Sequence, residues 1–412
     1  MKCKTHDYKC VNLETESWFD HEYYYKDYEL DQEIVYDVGF TTDMLRAKRI
    51  QLFPTYHQRK ILMQWIGISR WVYNHSVAYA KEHGADTNKR RFRDNVKTNL
   101  PEALLRYCKE SKMPQRIIVE TIMDVSKAYK TAFANKAAGN IDKFRLRFRK
   151  KNKPRQGFVV ACDCFNKTRN AFATKALGDI KSSEPFPAKR RDSRLVYEHG
   201  NFYMHCPDKC MEKLVEGRKP ECSLDPGLCT FQTLYDGDNC MKFGNRPEQE
   251  IVKLLKKIHK TKHRESEARI RRYHRRLYDR IRHLVDDLHW KTALFLVTHY
   301  DNILLGNLST KSVVSRKLKL PKKCKDPMLL LRHYVFQQRL AAKAEQYGAT
   351  MSVVDESYTS KTCSDCFKIK NNLGGSRAFK CSCGFVWDRD FNGARNIMQK
   401  QHGAPIKVYK KK

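Results

Sequence analysis

The sequence predicts a multidomain α+β protein, with a first half of strands and helices and a second half of layered α/β type. Three observations lead there. Apolar residues alternate in some stretches of the 412 residues and recur at three- and four-residue steps in others. From residue 222 onward the order reads strand, hairpin, helix, strand, helix, strand, helix. Four cysteines, Cys363, Cys366, Cys381 and Cys383, crowd together just before the last helix.

Residues 1–40 hold ten acidic residues against four lysines, with Tyr23-Tyr24-Tyr25 among them. They read as an acidic arm, either mobile or a cover that competes for a basic groove. Lys48-Arg49-Ile50-Gln51-Leu52-Phe53 alternates as a strand does, and Pro54-Thr55 ends it. Ile61, Leu62, Trp65, Ile68, Trp71 and Val72 then fall on one helical face, an aromatic stripe expected in the core. Pro114 opens another helix, striped by Ile117, Ile118, Thr121, Ile122, Val125 and Tyr129. Next, Lys143, Arg145, Arg147 and Arg149 alternate with Phe144, Leu146 and Phe148. As a strand this puts four cations on one face. Lys150, Lys151, Lys153 and Arg155 extend the row, which is expected to meet phosphates, since so dense a charge otherwise repels itself.

In the second half, Cys222–Gly227 begins a new unit. Thr230–Tyr235 is a strand entering a hairpin at Asp236-Gly237-Asp238-Asn239. Residues 248–299 are helical, 302–305 a buried strand, 309–326 a lysine-rich insert, 327–347 helical, 350–354 a strand and 390–401 a closing helix.

Lys and Arg number 81 against 46 Asp and Glu, a net charge of +35. Such a charge calls for a polyanionic partner, with nucleic acid foremost. No apolar run approaches the roughly 18 residues of a membrane span, and no signal peptide is legible, so an intracellular protein without a membrane partner is expected. Fifteen scattered cysteines fit a reducing compartment. Cys162-x-Cys164 and His205-Cys206-x3-Cys210 lack the four ligands of a ribbon and are expected to be ordinary thiols.

Two places carry chemistry. Cys363-x-x-Cys366 and Cys381-x-Cys383 have the spacing of a tetrahedral zinc cage, structural because four ligands leave no open position. Asp225 in the first strand of the second half and Asp390 at the head of the last helix suit an RNase H-like fold, in which carboxylates hold two divalent cations. Oxygen ligands favour Mg²⁺. A third acid is expected near Asp355-Glu356, where the strand's end leaves the register open, and Asp388 rivals Asp390.

Lys48–Thr55, Asp225-Pro226-Gly227, Tyr358-Thr359-Ser360-Lys361-Thr362-Cys363-x-x-Cys366 and Asp388-Arg389-Asp390-x-Asn392-Gly393-Ala394-Arg395-Asn396-Ile397 together resemble TnpB, the RNA-guided nuclease of bacterial transposons. The chain resembles more closely Fanzor, the TnpB relative of eukaryotes and their large viruses. The resemblance implies a wedge-like β domain (41–59 and 141–220) interrupted by a helical recognition lobe (60–140). It implies a RuvC-like nuclease domain (221–359 and 386–401) interrupted by a zinc ribbon (360–385), then a basic tail (402–412). It further implies a guide (ω) RNA, one protein per guide, a double-stranded DNA target beside a short adjacent motif, and a nuclear or viral compartment. In TnpB the second acid ends a strand in a Glu-Asp-Leu pattern; here the matching place is Gly306. The Fanzor branch relocates this glutamate, and Glu356 matches it, on a strand about 4.8 Å away. The implied triad is Asp225, Glu356 and Asp390. The readings left beside this one are a guided DNA-binding protein that no longer cuts and a guide-free transposase or resolvase.

Overall fold

The computed structural model describes residues 45–210, 213–308, 322–372, 374 and 376–406. The acidic arm, most of the lysine-rich insert and the tail from residue 407 lie outside the described residues. The chain forms two compact units, divided between residues 210 and 211.

In the first unit, β1 (Leu45–Phe53) leads into α1 (Tyr56–Glu82), followed by α2 (Lys89–Thr98), α3 (Glu102–Glu110) and α4 (Gln115–Ala137). A capping box starts α1: Thr55 accepts from the Gln58 amide, and the Gln58 side chain accepts from that of Thr55. Pro114 precedes α4 at the N-cap. After these come β2 (Arg155–Val160), the short α5 (Thr174–Leu177), β3 (Lys181–Ser182), β4 (Ser193–Glu198) and β5 (Asn201–Lys209), in a sheet ordered β2-β4-β5-β1-β3. Helices and sheet share one apolar core, in which Trp65 of α1 meets Phe158 of β2 edge-on. The expected aromatic stripe is therefore split: Trp65 is fully buried, and Trp71 is 42% exposed.

The expected strand over Lys143–Arg149 is absent, since these residues join no ladder. The alternation holds as far as Leu146, with Phe144 and Leu146 against the core, and then breaks. Phe148 turns outward beneath the Lys81 ammonium, while Arg149 turns inward over the Tyr73 ring. Asn74 fixes this reversal, because its amide both accepts from the Arg149 N–H and donates to the Arg149 carbonyl. A partner of this kind replaces the ladder that alternation alone presupposes.

The second unit is built on five strands: β6 (Lys219–Pro226), β7 (Thr230–Tyr235), β8 (Cys240–Asn245), β9 (Tyr300–Gly306) and β10 (Thr350–Val354). Their order is β10-β9-β6-β7-β8. β6, β7 and β8 pair antiparallel, whereas β9 and β10 add parallel to β6. The helices α6 (Pro247–Lys260), α7 (Ala268–His299), α8 (Lys322–Leu331) and α9 (His333–Gln346) bury the larger core with one face of this sheet. A two-stranded hairpin, β11 (Ala378–Lys380) and β12 (Val386–Asp388), then leads into α10 (Arg389–Gln401). α10 covers the other face: Phe391 and Ala394 pack on Tyr235 and Cys240, and Ile397 packs on Leu304 and Val354. Among the described residues no helix is long and apolar enough to cross a membrane.

Candidate functional site

Asp225 lies one residue from the end of β6. Side chains two apart share a sheet face, and Ser223, two residues before it, donates its hydroxyl to the Ala394 carbonyl of α10 at 2.7 Å. Asp225 therefore faces the same helix. The fit is close, since a Cβ on Gly393 would stand 2.5 Å from Asp225 Oδ2. Asp390 occupies the first turn of α10. Its rival Asp388 is already committed: it caps the helix by accepting from the Asp390 and Phe391 amides and pairs with Lys242 at 2.7 Å.

The third acid follows β10. Gly306 of β9 is paired with Val354, and Glu356 lies two residues past that pair. Asp355 turns to Lys400 at 2.9 Å and to Ser357, which together hold it below the usual carboxylate range despite the opposing effect of burial. Glu356 faces inward. Burial first, then the Glu356 and Asp390 charges, raise the Asp225 carboxyl well above its ordinary value. Burial and then the neighbouring Asp355 bring Glu356 up to about 7. Burial and then Asp388 raise Asp390, against the pull of Lys242, Arg389 and Arg377. Each of these residues keeps some exposure, and among the described residues none of the three carboxylates accepts a hydrogen bond. The charges of Glu356 and Asp390 thus reach Asp225, but the ligand atoms of the three acids do not all come within 4.8 Å of one another.

Gly306 itself has no room for an acid. A Cβ there would stand 2.9 Å from Pro226 Cδ, 3.0 Å from Ile397 Cδ1 and 3.2 Å from the Leu224 carbonyl oxygen. The space that a side chain on β9 would need is filled by the proline after Asp225 and by an α10 isoleucine.

The four cysteines converge. Cys363 and Cys383 sulfurs are 3.8 Å apart, Cys366 and Cys381 sulfurs 3.6 Å, and all four lie within 4.8 Å of one another. A tetrahedron with metal–sulfur bonds of about 2.3 Å has edges of about 3.8 Å, so the set fits a closed tetrahedral metal ion. The one-residue gap of Cys381-x-Cys383 does not prevent that closure. Burial works against ionising Cys381, but donation from the Cys383 amide and from the neighbouring thiols outweighs it and brings the thiol to about 7. Among the described residues, this is the one group of three or more His, Cys, Asp or Glu side chains brought within that spacing.

In the first unit, a cavity of about 290 Å³ is lined by Arg70, Arg149, Lys150, Lys153, Arg155 and Arg194 above a floor of Ile66, Gly157 and Val196. The carboxylate of Asp124 is shared by Arg149 and Arg194, while Lys150, Lys153 and Arg155 form no ion pair among the described residues. Of the basic row expected from sequence, Arg149, Lys150, Lys153 and Arg155 line this cavity; Lys143, Arg145, Arg147 and Lys151 do not. Arg70 and Arg194 come from α1 and β4, outside that row, and no single run of sequence announces them.

Residues 333–397 match the family model for the Cas12f1-like TNB domain, and residues 44–89, which hold β1 and α1, match that for a helix-turn-helix domain. A stretch of 67 residues is 42% identical to the CRISPR-associated endodeoxyribonuclease Cas12f1 of Sulfoacidibacillus thermotolerans, covering 16% of each chain. The solved Cas12f1–sgRNA–target DNA complex superposes with a TM-score of 0.36 at 14% identity, covering 87% of this chain and all of that one. TnpB-like protein L770 of Acanthamoeba polyphaga mimivirus is 30% identical over 388 residues, spanning 86% of this chain and 73% of the viral protein. That likeness runs through both units, and by it the chain belongs to the TnpB-like proteins.

Proposed function

We propose that this protein is an RNA-guided DNA endonuclease whose cutting centre is Asp225, Glu356 and Asp390. The observation that supports the reading is the buried Asp225 carboxyl, which the charges of Glu356 and Asp390 together hold well above its ordinary value. The sheet supports it too, because an antiparallel trio extended by two parallel strands is the RNase H-like order. The triad's oxygens suit a pair of Mg²⁺ ions, which when bound activate water and stabilise the leaving oxygen of a phosphodiester. In this reading Asp225 on β6, Asp390 on α10 and Glu356, just past β10, would hold the ions, Glu356 standing in for a side chain at Gly306. Arg389 and Arg377, whose charges reach Asp390, add positive potential where a phosphate would enter. Zn²⁺ is the ion proposed for the four-cysteine ribbon, in a structural role.

The cations of the first unit are read as the guide-RNA face, with the lined cavity taking backbone phosphate. Lys143, Arg145, Arg147 and Lys151 are proposed as outer phosphate contacts. In this reading the protein recognises a short motif beside the target, and pairing with the guide reads the remainder. One protein binds one ω RNA and one double-stranded DNA target.

The primary experiment is plasmid cleavage with copurified RNA and Mg²⁺. Asp225→Ala, Glu356→Ala and Asp390→Ala are each expected to lose roughly 10³-fold in rate, equivalent to several kcal/mol of transition-state stabilisation. Gly306→Glu placed on Glu356→Ala is expected to restore nothing. Wild-type protein that binds guide and target without cutting refutes the nuclease reading and leaves a guided binder.

Gly393→Ala separates geometry from stability. Alanine is the better helix former by about 1 kcal/mol, so the melting temperature should hold or rise. Cleavage should nevertheless fall, because the new methyl displaces the Asp225 carboxylate.

The pH response follows from Glu356. Its folded value of about 7 lies above the ordinary 4.5, so the metal-free fold loses stability as pH rises through that interval. The melting temperature of Glu356→Gln minus that of wild type should grow between about pH 5 and about pH 8, and added Mg²⁺ should reduce the difference.

For the cavity, Lys153→Ala with Arg155→Ala should weaken binding of the copurified RNA and lower the slope of log affinity against log salt by about two. An unchanged slope removes phosphate from the cavity.

A further inference from the structure

Between the four-cysteine centre and the acid site lies a set of buried amides that neither uses directly. Asn392, two residues after Asp390, donates to the Thr362 carbonyl at 2.8 Å and accepts from the Ser364 amide at 3.0 Å. These bonds grip the two residues that flank Cys363. One turn on, Asn396 donates to the Thr359 and Thr362 carbonyls, each at 2.7 Å. Thr359 in turn donates its backbone amide and its hydroxyl to the Glu356 carbonyl, at 3.2 and 2.8 Å. Gln399 adds a bond to the Ser364 carbonyl at 3.0 Å. On the other side of the ribbon, the Arg389 amide donates to the Arg377 carbonyl at 2.7 Å, just before β11. Both Asn392 and Asn396 are fully buried.

The connection is continuous. It runs from Glu356 through Thr359 to Asn396, on to Thr362 and Cys363, and through Asn392 back to the helix that carries Asp390. Apart from the chain itself, the links are hydrogen bonds between buried or partly buried groups, where such bonds are strong and costly to leave unmade. Asn392 and Asn396 make no contact with Asp225, Glu356 or Asp390 side chains among the hydrogen bonds described, so their role is to place other groups.

We propose that Asn392 and Asn396 are positioning residues that join the cysteine knuckle and the acid pair Glu356–Asp390 into one rigid unit, so that a metal ion held by the four cysteines sets the affinity of the acids for their own cations. Such coupling acts in both directions. It rests on the reading of the three acids as cation ligands.

The test uses the full chain and Mn²⁺ alone, with free Mn²⁺ followed by electron paramagnetic resonance and the site defined as the binding that Asp225→Ala removes. Stripping zinc from wild type should weaken Mn²⁺ binding by about tenfold. Zinc-loaded Asn396→Ala should show a similar loss, and stripping its zinc should add nothing further. Asn396→Ala should also yield its zinc to a colorimetric chelator about tenfold more readily than wild type. Gln399→Ala, which removes one partly buried bond, gives a milder variant in case the asparagine variants do not fold; it should show the same two effects, reduced. Wild-type Mn²⁺ affinity indifferent to zinc, or an Asn396→Ala protein that responds to stripping as wild type does, overturns the proposal. If wild type binds no Mn²⁺ at this site, the acid reading fails, and the chelator measurement still decides the clamp: equal zinc release from wild type and variant overturns it.

Discussion

The near-contact of α10 with the end of β6 is the constraint on which the site depends. Gly393 brings the helix backbone so close to Asp225 that one added carbon would collide with the carboxylate. Because of that approach, the charge of Asp390 in the first helical turn makes ionisation of Asp225 on the strand more costly. The Ser223 hydroxyl on the Ala394 carbonyl and the apolar contacts of Ile397 with Leu304 and Val354 hold the approach in place. The same packing fills the space above Gly306, which leaves the end of β10 as the neighbouring position from which a third acid can reach the cluster.

Charge is distributed by opposite rules in the two units. In the first, cations from α1, β2, β4 and a loop gather around one cavity, with Asp124 balancing only Arg149 and Arg194. In the second, carboxylates gather where hydrogen-bond donors are lacking, and their shifted protonation records the cost. Neither arrangement helps the free protein fold. In the proposed reading both become favourable when the matching ions arrive, phosphates for one and divalent cations for the other.

The ribbon is tied into this scheme through buried amides. Asn392, Asn396 and Gln399 lie along α10 at spacings that keep them on the ribbon side of the helix, and Phe391, Ala394 and Ile397 take the sheet side. A single helix of 13 residues therefore carries an acid, a glycine contact, an apolar seam and a polar clamp. Its N-cap aspartate, Asp388, is fixed by Lys242 of β8, so the helix start is anchored to the sheet as well.

Much of this was legible in the sequence, because it depends on periodicity and spacing. Apart from the strand expected over Lys143–Arg149 and the break that splits residues 248–299 into two helices, the strands and helices expected from alternation and from three- and four-residue steps form, and the cysteine pairs declare a tetrahedral set, since ligand spacing within each knuckle is a local property. Asp225, Glu356 and Asp390 could be singled out one by one from their places at element ends and from the family resemblance. Tertiary structure decided the remainder. That Glu356 rather than Asp355 turns inward depends on Lys400, which is 45 residues away and draws Asp355 outward. That Arg149 leaves its row of cations depends on Asn74 and Asp124, which alternation cannot represent. The exclusion of a side chain at Gly306, the Gly393 contact and the cation-lined cavity arise only when separate segments are brought within a few ångströms, and distance between segments is the quantity a linear sequence does not contain.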